Sequence, residues 1–170
     1  MRFSEQKAVF DSWLSTYQGV LFKVVRAYAF TPHDQEDLFQ EIATQVWISV
    51  PNFAGNSAPS TWIYRVALNT AISWSRKELR HQDKIKALDG DAAALRPNDS
   101  AVDPRLDWLY EQIRQLNELD RSLTLLLLDG FSYKEMADAL GLSETNVGVR
   151  IHRIKAHLTA QSTKEFKHAT

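Results

Sequence analysis

Cysteine is missing from all 170 residues, which removes disulfides and thiolate metal sites and fits a reducing cytoplasm. Long apolar runs are missing as well. The most apolar stretch, residues 123–128, is far too short to cross a bilayer. The opening MRFSEQKAVFD has no apolar segment behind a basic start, so neither a secretory signal peptide nor membrane insertion is expected. Charge of one sign is not in excess: 20 Lys and Arg stand against 21 Asp and Glu, a net −1. That balance argues against coating nucleic acid by bulk electrostatics. Affinity from phosphate neutralisation would have to be local or borrowed from a larger assembly. Catalytic signatures are lacking too. The histidines (His33, His81, His152, His157, His168) show no paired metal spacing except His152 with His157, and an i, i+5 pair shares a helix face poorly. No nucleophile–base set and no glycine-rich phosphate loop occurs. The expectation is a soluble cytoplasmic protein without metal or cofactor, and not an enzyme.

What is present concentrates in residues 131–158. Ser132 with Glu135 three residues on forms a capping box, so a helix should start at Tyr133. Ala137, Leu140 and Gly141 supply a small residue, an apolar anchor and a glycine able to turn with positive φ. Ser143 caps a second helix whose Val147, Ile151, Ile154 and Leu158 make one apolar stripe. Its other side carries Asn146, Arg150 and Arg153, flanked by His152, Lys155 and His157. Such a helix-turn-helix, showing amide and guanidinium groups outward, is suited to a DNA major groove. The plainer alternative is a structural helical hairpin with a solvated face.

The rest of the chain reads as helices without a convincing strand. Residues 4–30 carry two apolar stripes, one of Phe10, Trp13, Leu14 and Tyr17, the next of Leu21, Val24, Val25 and Tyr28, with Gly19 as the candidate break. Thr31-Pro32 starts a third helix, with Asp34, Glu36 and Asp37 in its first turns, where the helix dipole favours negative charge. Phe39, Ala43, Val46 and Val50 form its core stripe, widened by Leu38, Ile42 and Trp47. Its opposite face holds Asp37, Gln40, Glu41, Thr44 and Gln45, which by itself reads as solvated surface. Pro51 ends it, and residues 52–60 form a loop in which Phe53 should fold back on the core.

A long helix follows from Pro59 to about Gln82, with Ile63, Val66, Ala67, Thr70 and Trp74 inward. Thr61, Arg65, Asn69 and Arg76 line its other side, with Trp62 and Tyr64 near the start. Rings beside basic and amide groups can hold unstacked bases; equally, the tryptophans can be core and the polar groups merely solvated. Residues 76–86 are basic (Arg76, Lys77, Arg80, Lys84, Lys86), and 89–103 are acidic (Asp89, Asp91, Asp99, Asp103). Periodicity fades from Asp83 to about Ala101, which marks a linker. Asp103-Pro104 restarts helix, with Leu106, Leu109, Tyr110, Ile113 and Leu116 at helical spacing. A helix over about 119–129 then carries Leu123 and Leu125 to Leu128 into near-complete burial, stopped by Gly130. The fold class is all-α: two small helical domains, 1–82 and 103–170, joined by a flexible linker over 83–102.

Three motifs in this order, DLFQEI at 37–42, TWIYRVALNTAISWSR at 61–76 and GFSYKEMADALGLSETNVGVRIHR at 130–153, closely resemble a bacterial RNA polymerase sigma factor of the extracytoplasmic-function (ECF) type. These are the smallest sigma factors, with only region 2 and region 4 around a linker, and the resemblance covers nearly the whole chain. It implies a transcription initiation factor that binds core RNA polymerase, on the clamp helices of the largest subunit and the flap region, and directs it to promoter DNA. By position, Asp37, Leu38, Gln40 and Glu41 match the polymerase-docking segment, where an acidic, amide-rich face suits a basic surface. Phe53 to Thr61 matches the loop that captures an extruded base, and Trp62, Arg65 and Asn69 match the minus-ten reading and melting surface. Asn146, Gly148, Val149, Arg150, His152, Arg153 and Lys155 match positions facing the minus-thirty-five groove. The acidic linker resembles the segment threaded along the polymerase cleft. An anti-sigma partner, able to hold the protein inactive at the inner membrane, is usual for the family. This chain departs from relatives at Gly148 and Val149, where a basic and a hydroxyl residue are frequent, and at Pro59, where an aromatic is. The competing reading is an ordinary helix-turn-helix regulator that binds DNA tightly without polymerase and dimerises through its N-terminal helices.

Overall fold

The computed structural model describes the backbone of residues 1–89 and 103–167 and the side chains of 1–81 and 103–167. The described residues are helical, with no strand among them, in two compact units, Met1–Val102 and Asp103–Thr170.

In the first unit, helices α1 (Phe3–Thr16), α2 (Gln18–Tyr28), α3 (Pro32–Ser49) and α4 (Pro59–Asp89) surround one core. The break between α1 and α2 falls at Tyr17, and Gly19 lies inside the first turn of α2. Thr31 Oγ1 accepts the Asp34 N–H at 3.1 Å and Pro32 opens α3, so one orphan donor is satisfied and a missing donor is put where none is needed. Leu21, Val24 and Val25 of α2, Leu38, Ile42 and Val46 of α3, and Ile63, Ala67 and Leu68 of α4 are buried against one another. Burying a side chain of this size stabilises by ~1.5–3 kcal/mol. The buried line of α3 thus runs at i, i+4, i+8 from Leu38, while Phe39, Ala43 and Trp47 are half-buried beside it. A 3₁₀ turn, Val50–Asn52, carries Pro51 and ends α3. α4 runs on past Gln82 to Asp89, beyond its expected end. The remainder of the expected linker, residues 90–102, lies outside the described residues.

The second unit contains α5 (Pro104–Gln115), α6 (Glu118–Leu128), α7 (Tyr133–Leu140) and α8 (Glu144–Phe166). Asp103 caps α5 by accepting the Arg105 N–H, with Pro104 at the first helical position. Leu123, Leu125 and Leu126 of α6, Met136 of α7 and Val147 and Ile151 of α8 form the core. Leu128 departs from expectation at 55% exposed, because it lies in the last turn of α6. Leu106, in the first turn of α5, is likewise exposed. Arg121 is buried, and its Nη2 donates to the carbonyls of Arg114 and Leu116 at 2.8 and 3.0 Å. A guanidinium there satisfies carbonyls at the end of α5, where the helix dipole is negative.

Candidate nucleic-acid and polymerase interface

The α7–α8 turn is built from local rules. Ser132 Oγ accepts the Glu135 N–H at 3.1 Å while the Glu135 carboxylate accepts the Ser132 N–H at 2.8 Å. Gly141 takes φ 69°, and the Leu142 N–H then donates to the Ala137 carbonyl, closing α7. Ser143 Oγ accepts the Asn146 N–H at 3.1 Å and starts α8. With Val147, Ile151 and Ile154 buried, α8 leaves Asn146, Val149, His152, Arg153 and Lys155 exposed. Amide, guanidinium, ammonium and apolar groups together are what contact base edges, phosphates and thymine methyls.

Two of the expected groove residues are placed differently. Arg150 is half-buried: its Nη1 donates to Asp120 Oδ1 at 2.8 Å and its Nε to Asn146 Oδ1 at 3.2 Å. It is tied to α6 rather than projecting alone. Gly148 is half-buried against Tyr133, whose ring carbons would lie 3.6 and 3.8 Å from an added Cβ. Tyr133 itself is 41% exposed.

In the first unit Asp37, Gln40, Glu41 and Thr44 are exposed together on α3. Asp37 Oδ2 accepts the Trp74 indole N–H at 3.0 Å, and Glu41 Oε1 accepts the Gln45 amide at 3.3 Å. Leu38, expected in the same docking set, is fully buried and belongs to the core; it supports that face from behind and cannot touch a partner from this position. On α4, Arg65, Asn69 and Arg76 are exposed and Thr61 and Trp62 half-buried. The Trp62 indole N–H donates to Ser49 Oγ at 3.1 Å, so this ring is anchored to the end of α3. Tyr64 is 1% exposed and is a core residue, unable to stack on a base. Phe53 folds back as its setting suggests, edge-on to Trp13 at 5.2 Å and tilted on Trp62 at 5.6 Å. In this conformation the ring is packed between two indoles rather than presented to a base.

Asp120 is the polar residue that periodicity overlooks. The only sequence signal at Asn117 and Asp120 is the start of α6, where Asn117 Oδ1 accepts the Asp120 N–H at 2.9 Å. Among the described residues no three His, Asp or Glu side chains gather to hold a metal, and no helix is long and apolar enough to cross a membrane.

Comparison with known proteins gives each unit a match. Residues 13–81 match the family described as Sigma-70 region 2, and residues 106–158 match Sigma-70 region 4. The chain is 29% identical to the ECF RNA polymerase sigma factor SigX of Bacillus subtilis, over 85% of this chain and 78% of that one. It is also 29% identical to the ECF RNA polymerase sigma-E factor of Haemophilus influenzae, over 88% of this chain and 85% of that protein. Among solved structures, a complex of the sigma factor RpoE with the anti-sigma factor NepR from Bartonella quintana matches with TM-score 0.71 at 20% identity, over 95% of this chain and 98% of that one. CnrH, solved with the cytosolic domain of CnrY, matches with TM-score 0.65 at 21% identity, over 93% and 90%. At these identities the two structures speak for the fold.

Proposed function

We propose, from the premise that this chain belongs to the sigma-70 family and is a sigma factor of the extracytoplasmic-function type, that its first unit docks on core RNA polymerase and opens the minus-ten element while its second unit reads the minus-thirty-five element. As an alternative sigma factor it acts in transcription initiation, with core RNA polymerase and promoter DNA as its partners. One observation supports the division of labour: each unit leaves a polar helix face exposed, Asp37, Gln40 and Glu41 on α3 and Asn146, His152, Arg153 and Lys155 on α8. The net charge of −1 agrees with DNA binding that depends on polymerase for most of its phosphate contacts.

Within this reading Asp37, Gln40 and Glu41 meet a basic surface of the clamp helices, with Leu38 as their buried support. Thr61, Trp62, Arg65 and Asn69 take the minus-ten strand, and Phe53 shapes the capture loop through its packing on Trp13 and Trp62. Asn146, Val149, His152, Arg153 and Lys155 enter the minus-thirty-five groove, with Gly148 and Arg150 setting how the helix presents them. Sigma factors are non-catalytic initiation factors, and this chain contributes binding and strand capture rather than bond-making chemistry. It works in the cytoplasm. An anti-sigma protein that covers both DNA faces, and that can tether the factor to the inner membrane, is its expected regulator.

The test is transcription by holoenzyme reconstituted from this chain and core polymerase on a library of genomic DNA, with start sites read by sequencing. Two shared upstream elements at promoter spacing are expected. The chain alone should bind the same DNA at least about tenfold more weakly than holoenzyme. Tight, polymerase-independent binding to one element would instead favour the helix-turn-helix regulator.

A further inference from the structure

Asn146 and Arg150 lie one turn apart on α8, and Arg150 reaches across to α6. Its Nε donates to Asn146 Oδ1 at 3.2 Å and its Nη1 to Asp120 Oδ1 at 2.8 Å. Asp120 is held in turn by Asn117, whose Nδ2 donates to Asp120 Oδ2 at 2.9 Å. A guanidinium carries donors only, so the group that Asn146 turns toward it has to be the amide oxygen. Chemistry therefore fixes the orientation of that amide. Its NH₂ group makes no hydrogen bond among the described residues, and the side chain is exposed. An asparagine reads adenine by accepting from N6 and donating to N7 at once. With its oxygen turned toward Arg150, Asn146 presents its NH₂ group on the opposite side, and those two donors suit the O6 and N7 acceptors of guanine or the O4 of thymine.

We propose that Asp120 is a positioning residue for promoter reading: it anchors the Arg150 guanidinium, which turns the Asn146 amide oxygen inward and so selects an acceptor base over adenine opposite Asn146. The inference rests on the reading above that α8 enters the minus-thirty-five groove. The Arg150 and Asp120 side chains are 32% and 20% exposed, so the tie biases the amide while leaving it reachable from the groove.

The test uses holoenzyme and a promoter library randomised in the upstream element, with the base profile measured for wild type, Asn146→Ala, Asp120→Ala and Asp120→Asn, and melting followed alongside. Wild type is expected to prefer guanine or thymine over adenine by about tenfold at one position, the position that Asn146→Ala flattens. Asp120→Ala should shrink that preference to within about threefold there and nowhere else. Asp120→Asn keeps an acceptor oxygen for Arg150 and should restore the wild-type profile. Mere destabilisation would lower occupancy at every position alike. Should Asp120→Ala melt below the assay temperature, Arg150→Gln is read in its place. A glutamine can offer an acceptor to Asn146, releases the amide, and should raise adenine at the same position. If the Asn146-dependent position keeps its profile in Asp120→Ala, or in Arg150→Gln as its substitute, the positioning role is overturned while the groove reading stands. If Asn146→Ala alters no position, the groove reading itself falls and takes this inference with it.

Discussion

Replacing Phe53 with alanine removes a ring that two tryptophans hold, and the structure lets the cost be worked out. The ring meets Trp13 at 5.2 Å and 85°, and Trp62 at 5.6 Å and 59°. Each such aromatic pair contributes ~0.5–1.5 kcal/mol beyond area burial. A fully buried Phe→Ala change costs ~3–5 kcal/mol, and Phe53 is only half-buried. Both routes converge on about 2 kcal/mol of lost stability. Phe53→Leu keeps most of the volume and should cost about 1 kcal/mol. Urea denaturation followed by tryptophan fluorescence is the natural assay, because both partners of the ring are indoles. A Phe53→Ala cost below about 0.5 kcal/mol would refute the packed conformation and mean that the loop stands open in solution. The same pair of variants separates shaping the loop from stacking on a base. If Phe53 shapes the loop, Phe53→Leu retains promoter opening; if the ring stacks on an extruded base, opening falls roughly fivefold or more.

The polymerase-facing role of α3 is checked by Asp37→Asn combined with Gln40→Ala. An asparagine oxygen can still accept the Trp74 indole N–H that Asp37 accepts, so the melting temperature should hold while co-purification with core polymerase weakens severalfold; undiminished association would remove this face from the interface. Arg65→Ala with Asn69→Ala, both exposed on α4, should slow open-complex formation, read by permanganate footprinting, with core binding intact. Equal loss of core binding would make α4 a docking surface instead. Gly148→Ala should stabilise the protein by ~0.5–1 kcal/mol in thermal melting, because an added Cβ meets only the Tyr133 ring, at an ordinary 3.6 Å. A destabilised variant would show that the Tyr133 contact is tighter than that.

Local chemistry made most of the helix starts legible. Thr31-Pro32, Asp103-Pro104, Ser132 with Glu135, and Ser143 each act as caps where their sequence neighbourhood says they should. Side-chain roles were less legible where a stripe is wide. Leu38 and Phe39 are adjacent, and periodicity alone does not say which is central; the packing of the helices around α3 decides it, leaving Leu38 fully buried and Phe39 half-buried. Tyr64 sits beside Arg65 and near Trp62, a pattern that suits base stacking, yet it turns 100° away from Arg65 along the helix and into the core. The extension of α4 to Asp89 follows from Lys84, Lys86, Ala87 and Leu88, residue types that favour helix without needing an apolar stripe. The Arg150–Asp120 tie had no sequence signal. Thirty residues separate the partners, and polar pairings at that range depend on how α6 and α8 cross.

α8 is 23 residues long, with its exposed polar groups Asn146, His152, Arg153 and Lys155 toward its start and, at the far end, Phe166 edge-on to Trp108 of α5 at 5.5 Å. A helix of this length is a rod of about 34 Å. On the proposed reading, its last turns therefore work as the handle of a lever whose other end meets the DNA. A tilt of about 5° about the Trp108 contact would carry the reading end by roughly 3 Å, the span of one hydrogen bond. On the proposed reading, promoter discrimination is thus exposed to substitutions at an aromatic contact remote from the groups assigned to the DNA.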